Sequence, residues 1–190
     1  RMSLAHAVLT SLIERPSSGY ELARRFDKSI GYFWHATHQQ IYRELARMEA
    51  AGWIASQPAP DAGLTRKRLY EVLPAGREEL ARWAAEPTPP PDLRDVLSVK
   101  LRAEAALGEI DLRAELRQRI ASHAERLDLY RALAQRDFPP DRPLGRAAAI
   151  QHMILQKGLR YEEGNLRWCE EMLALLDMPL SASTAAPPAT

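Results

Sequence analysis

Hydrophobic positions recur at helical spacing at the start of the chain. Residues 4, 8, 9, 12 and 13 are apolar across residues 3–14, with Ser3 placed to cap that helix. The stretch RPSSG (15–19) breaks it, and Ser17 or Ser18 can open a second short helix over GYELARRFDK. A third helix follows Thr37. Thr37 and Gln40 have the spacing of a capping box, Ile41, Leu45 and Met48 form an inward stripe, and Gly52 is placed to end it. The period then changes. Residues 53–57 and 66–73 read as strands, joined by the turn-rich PAPDAGLT, so the pattern predicts a hairpin. Residues 74–86 return to helix, with Pro74 in its first turn.

The second half is helical throughout. Residues 93–107 carry apolar side chains at 93, 96, 97, 101 and 105, and Gly108 interrupts them. Residues 110–136 carry Leu112, Leu116, Ile120, Leu127 and Tyr130 at helical spacing. A last helix over about 143–177 has the stripe Ile150, Ile154, Gly158, Tyr161, Asn165, Trp168, Met172 and Leu175, in steps of four and three. That spacing resembles a coiled-coil seam, and a second copy of the chain is its simplest partner.

Three helices followed by a hairpin describe a winged helix-turn-helix, whose third helix is the one placed to enter a DNA major groove. The predicted fold is therefore mainly α with a small β-hairpin. An N-terminal winged helix-turn-helix (1–86) precedes a C-terminal helical, coiled-coil-like dimerisation domain (92–178). Four prolines within residues 87–91 form a semi-rigid linker, and residues 179–190 are expected to be a disordered tail.

Composition changes this picture little. The chain has 190 residues, 46% of them hydrophobic and 27% charged, the balance of an ordinary globular protein. The net charge of +1 is unevenly spread. Residues 1–85 hold 12 Lys and Arg against 9 Asp and Glu, which permits anion binding by the first half. No apolar run reaches membrane-spanning length, and the N-terminal stretch lacks the apolar core of a signal peptide, so a cytoplasmic protein is expected. A single cysteine, Cys169, excludes an intramolecular disulfide and reads as a buried structural thiol.

The candidate chemistry is recognition. With its stripe turned inward, the third helix presents His38, Gln39, Gln40, Tyr42, Arg43 and Arg47 behind the Thr37 cap. Gln matches the edge of adenine, and Arg that of guanine or a phosphate. Arg66, Lys67 and Arg68 on the second strand suit phosphate contact or minor-groove insertion, with an ordinary charged strand edge as the alternative. Ser18 and Tyr20, at the start of the second helix, can hold a phosphate or can serve capping and packing. His35 and His38 lack a third ligand, so no metal site is expected. Catalytic motifs are missing: no G-x-S-x-G, Walker loop, H-E-x-x-H or dinucleotide glycine pattern occurs. Neither an enzyme nor a cofactor is expected. Glu162-Glu163 and Glu170-Glu171 read as solvated faces or intersubunit ion pairs. Tyr32, Phe33, Trp34, Tyr130, Tyr161 and Trp168 suit a packed core or the lining of an effector pocket.

The stretch HAVLTSLIERPSSGYELARRFDKSIGYFWHATHQQIYRELARMEAAGWI resembles the PadR family of bacterial transcription regulators. It has the Pro-Ser-x-Gly-Tyr-Glu-Leu turn, the Ile-Tyr-x-x-Leu-x-x-Met recognition helix and the following Gly-Trp-Ile. RKRLYEVLPAGREEL looks like the family's wing strand and its Thr/Pro-x-Gly-x-x-x-Leu helix opening, with Pro74 where Thr is common. LQKGLRYEEGNLRWCEEMLALL is similar to the C-terminal domain of the longer members, the branch that includes a virulence-gene activator. The resemblance implies a homodimer that binds double-stranded operator DNA as an inverted repeat, often to repress a nearby gene. It also implies that a small aromatic effector can be involved, since some members respond to phenolic acids or flat hydrophobic drugs. The alternative is a winged helix that binds protein rather than an operator.

Overall fold

A computed structural model of the chain describes residues 4–27, 36–59, 67–90 and 92–178. Ser3, the aromatic set Tyr32, Phe33 and Trp34, His35, the hairpin tip with Arg66, and the C-terminal tail lie outside the described residues. The chain divides into two compact units, Arg1–Pro91 and Asp92–Thr190.

In the first unit the order is α1 (Leu4–Glu14), β1 (Ser17–Ser18), α2 (Gly19–Asp27), α3 (His38–Ala50), β2 (Ile54–Pro58), β3 (Arg68–Val72) and α4 (Pro74–Ala84). The expected hairpin is there as β2 and β3, but it belongs to a three-stranded antiparallel sheet of order β1-β3-β2. Ser17 lies opposite Tyr70, and Ser18 opposite Leu69. A two-residue strand has no alternation to read, so this break looked like a turn. Arg25 holds it in place. Its guanidinium donates to Ser17 Oγ at 2.6 Å and to the carbonyl of Arg15 at 2.8 Å, which fixes the break against α2.

The helical stripes meet as their spacing requires. Leu9 and Leu12 of α1, Leu22 and Phe26 of α2, and Ile41, Leu45 and Met48 of α3 join Ile54 in one core, each at most 1% exposed. The buried stripe leaves the opposite face of α3 in solvent.

A polar cluster pins α4 to α1. His6 is buried, donates from Nε2 to Glu79 Oε1 at 3.0 Å, and stacks on Trp83 with ring centroids 4.4 Å apart. Arg82 binds both oxygens of Glu79, at 2.7 and 2.8 Å. Arg82 first, then His6, hold the Glu79 carboxyl at about 2 instead of its usual 4.5. A carboxyl whose folded pKa is depressed stabilises the fold above its unfolded pKa, and that stabilisation is lost as pH falls toward the folded value. Glu79→Gln is therefore expected to flatten the fall of the unfolding midpoint between pH 4.5 and about pH 2. Thermal unfolding followed at several pH values checks this, and parallel curves for the two proteins would refute it.

The second unit holds α5 (Val96–Leu107), α6 (Arg113–Asp137) and α7 (Arg146–Leu176). Asp95 caps α5 by accepting from Leu97 N at 3.1 Å, and Gly108, at φ 67°, ends it in the left-handed region that favours glycine. Leu97, Leu116 and Cys169 form a buried cluster with Leu101, Ile120, Met172, Leu173 and Leu176 packed around it. Farther along, Tyr130 of α6 lies over Gly158 of α7, where an added Cβ would stand 3.2 Å from the ring. Arg113 donates to Asp177 Oδ1 at 2.8 Å and ties the start of α6 to the end of α7.

Glu162 corrects the reading of the acidic pairs. Glu163 is exposed, but Glu162 is only 4% exposed and sits between α7 and α6 of the same chain. His123 Nδ1 lies 2.5 Å from one of its oxygens and Arg126 Nε lies 3.2 Å from the other. Helical periodicity points Glu162 inward, and only a partner on α6, far away in sequence, makes that burial tolerable. Among the described residues, no helix is long and apolar enough to cross a membrane.

Candidate nucleic-acid interface

The exposed face of α3 is set by its cap. Thr37 Oγ1 accepts from Gln40 N at 3.2 Å, and Gln40 Oε1 accepts from Thr37 N at 2.8 Å, so the capping box is complete. Thr37 and the Gln40 carbonyl are thereby engaged in starting the helix. His38 and Gln39 are exposed on the first turn.

One turn further, the face sorts into fixed and free side chains. The Tyr42 ring lies over Gly19 at the start of α2, where an added Cβ would meet it at 2.6 Å, yet 46% of the residue is exposed. Arg47 donates from Nε to Glu44 at 2.9 Å, and its guanidinium sits 5.9 Å from the centre of the Trp53 ring. The bond to Glu44 raises the Arg47 pKa further. Arg43 is exposed and makes no hydrogen bond or ion pair among the described residues. The two arginines looked alike in sequence; the acid three residues before Arg47 separates them.

The start of α2 is a second capping box. Ser18 Oγ accepts from Glu21 N at 3.2 Å, and Glu21 Oε2 accepts from Ser18 N at 3.1 Å. Ser18 is buried in β1, and its hydroxyl serves the cap. Tyr20 is 61% exposed, with the Arg24 guanidinium 5.6 Å from its ring centre. Lys67, placed by β3 pairing beside this turn, stands 3.0 Å from Glu21 Oε1. That contact is the main reason the Glu21 carboxyl falls from 4.5 to about 2.

Arg68 is also engaged. It donates from Nε to Ser56 Oγ and from Nη2 to the Ser56 carbonyl, both at 2.8 Å. Lys67 and Arg68 are therefore cations with neighbours, joined to α2 by Glu21 and to β2 by Ser56. Among the described residues, no group of three His, Cys, Asp or Glu side chains is placed to hold a metal.

The residues expected to form an intersubunit seam divide between those packed within the chain and those left exposed. Gly158 and Met172 pack against α6 or the Leu97–Leu116–Cys169 cluster of the same chain. Asn165 is half-buried and donates to the carbonyl of Tyr161 at 2.8 Å. Ile150, Ile154, Tyr161, Trp168 and Leu175 are exposed, and so is Met153, which the heptad count passed over. Tyr130 is core, whereas Tyr161 and Trp168 are on the surface.

Known proteins match both units. Residues 8–82 match the family model described as transcriptional regulator PadR-like, and residues 93–177 match that of the virulence activator alpha C-terminal region. A probable transcriptional regulator of Mycobacterium tuberculosis, Rv1176c, is 44% identical over 92% of this chain and 98% of its own length. The Vibrio cholerae virulence activator AphA has a similar structure, with TM-score 0.77 and 30% identity over 92% of this chain and 98% of that one. Bacillus subtilis PadR, solved with operator DNA and also with p-coumaric acid, gives TM-scores of 0.78 and 0.73 at 23% identity. Those two alignments cover 90% and 93% of this chain, and 97% and 96% of PadR; at that identity the likeness is one of fold. With both halves matched in order and a relative aligned from end to end, the chain belongs to the PadR-like family of transcriptional regulators, and it is not an enzyme.

Proposed function

We propose that the chain is a sequence-specific DNA-binding regulator, in the first instance a repressor, that acts in the cytoplasm as a homodimer on an inverted-repeat operator. Residues 1–86 grip DNA, residues 87–91 space the units, and residues 92–178 dimerise. The observation that carries the reading is the outer face of α3, a capped helix whose core stripe leaves Gln39 and the uncommitted Arg43 in solvent. Two such helices enter successive major grooves about 34 Å apart. The exposed apolar side chains of α7 support a second copy as the partner, because a twofold axis covers both strips at once. The operator complex of Bacillus subtilis PadR supports DNA as the ligand, and its p-coumaric acid complex supports a small aromatic acid as the effector. Such an effector releases DNA only by binding the DNA-incompetent dimer more tightly.

The test is titration of a labelled duplex from the upstream promoter region at several salt concentrations. Two chains per duplex and a steep loss of affinity with salt are expected, since phosphate contacts release counterions. Arg43→Ala is expected to weaken specific binding by about 1–3 kcal/mol. Weak, salt-independent binding that Arg43→Ala leaves unchanged would favour a protein-interaction module instead.

A further inference from the structure

The α3 helix ends on a side chain that electrostatics alone would not place there. Glu49 sits next to the last residue of α3, where the helix dipole is negative and disfavours a carboxylate. It also adds negative charge to a helix whose outer face is read as meeting phosphates. What offsets both terms is a pair of hydrogen bonds. Glu49 Oε1 accepts from Ser56 N at 3.0 Å and from Ser56 Oγ at 2.5 Å.

Ser56 lies in β2, which is an edge of the sheet. An edge strand turns some of its N–H groups away from the sheet, and Glu49 takes the one at Ser56. The Ser56 hydroxyl gives its hydrogen to Glu49, so its lone pairs are free for Arg68 Nε at 2.8 Å. The second Arg68 bond, to the Ser56 carbonyl, closes the arrangement. Carboxylate, hydroxyl and guanidinium thus form one chain from the end of α3, across β2, to the first residue of β3.

We infer that Glu49 is a positioning residue for DNA binding, a strap that sets the wing strands relative to α3. This rests on the reading of α3 and the wing as the DNA-contacting face. Its contribution is indirect: with the strap in place, α3 and the wing meet one duplex in a fixed register, and Arg68 is held on the sheet as part of the strap.

Two mechanisms predict opposite signs. If Glu49 acted only through its charge, removing it would tighten binding, because a carboxylate repels phosphates. As a strap, Glu49→Ala weakens binding by about fivefold, the worth of roughly one net hydrogen bond. Glu49→Gln keeps an Oε1 acceptor and loses the charge, so it binds at least as tightly as the wild type. The experiment uses the full chain and the labelled promoter duplex, with amide hydrogen exchange of β2 and β3 measured on the free protein. Weaker binding by Glu49→Ala, faster exchange at Ser56 and recovery of both in Glu49→Gln are the expected results. Tighter binding by both variants, or unchanged exchange in Glu49→Ala, would overturn the inference. If the wild type ignores the duplex while Glu49→Ala still speeds exchange, the operator reading fails, and the DNA role of Glu49 fails with it.

Discussion

Glu162→Ala is expected to lower the stability of the second unit by about 3 kcal/mol, the low end of the range for removing one partner of a buried ion pair. The low end applies because Arg126 keeps about half its side chain in water (47% exposed), so it is not stranded when the carboxylate goes. His123 has less freedom, being 8% exposed and within 2.5 Å of Glu162 through Nδ1. A carboxylate can only accept, so Nδ1 carries the hydrogen; the deletion leaves Nδ1 facing only Arg126 Nη2, a donor 3.2 Å away, and His123 must change tautomer to keep a partner. Glu162→Gln keeps an acceptor for His123 and gives up only the charge facing Arg126, so a smaller loss is expected. Hydrogen exchange at the amides of α6 and α7 reads this unit separately from the DNA-binding unit. A loss under about 0.5 kcal/mol, the size of a surface substitution, would show that water reaches the pair.

The stripes of the first unit were legible because each amphipathic helix carries its own signal. Ile41, Leu45 and Met48 are spaced to share one face, and they are buried. The Thr37–Gln40 box and the stop at Gly52, at φ 72°, are equally local chemistry. What could not be read were the pairings between residues far apart in sequence. Lys67 and Glu21 meet because β3 runs beside β1, and β1 is too short to announce itself. Arg43 and Arg47 differ through nearer neighbours: Glu44 stands three residues before Arg47, and the turn after α3 brings Trp53 to it. The seam on α7 shows a further limit. A step pattern of four and three gives a stripe roughly 100° wide, but not which part of it meets the chain's own helices and which remains outside. Gly158 offered a hint, since a residue without a side chain adds little to an exposed apolar surface but lets an aromatic ring come close.

Gly76→Ala is expected to destabilise the first unit by about 3 kcal/mol, at the upper end of what an overpacked site costs. Helix propensity argues the other way, since replacing glycine by alanine inside a helix gains about 1 kcal/mol. Geometry decides the sign. An added Cβ would lie 2.3 Å from the carbonyl oxygen of Trp53 and 2.9 Å from a methyl of Val72. The first of these neighbours is backbone, and it is already occupied: the Trp53 carbonyl accepts from Leu73 N at 2.9 Å, at the junction of β3 and α4. Relieving the clash means moving α4 away from the base of the wing or breaking that hydrogen bond. Val72 is paired with Ile54 in the sheet, so neither side of the contact yields cheaply. A fall of at least roughly 10 °C in the unfolding midpoint follows for a unit of this size. A midpoint at or above the wild-type value would mean that propensity outweighs the contact and that α4 does not approach Trp53 this closely. The glycine two residues after Pro74 thus has a physical reason: Pro74 starts the helix, and Gly76 lets its first turn rest on the strand that carries the wing.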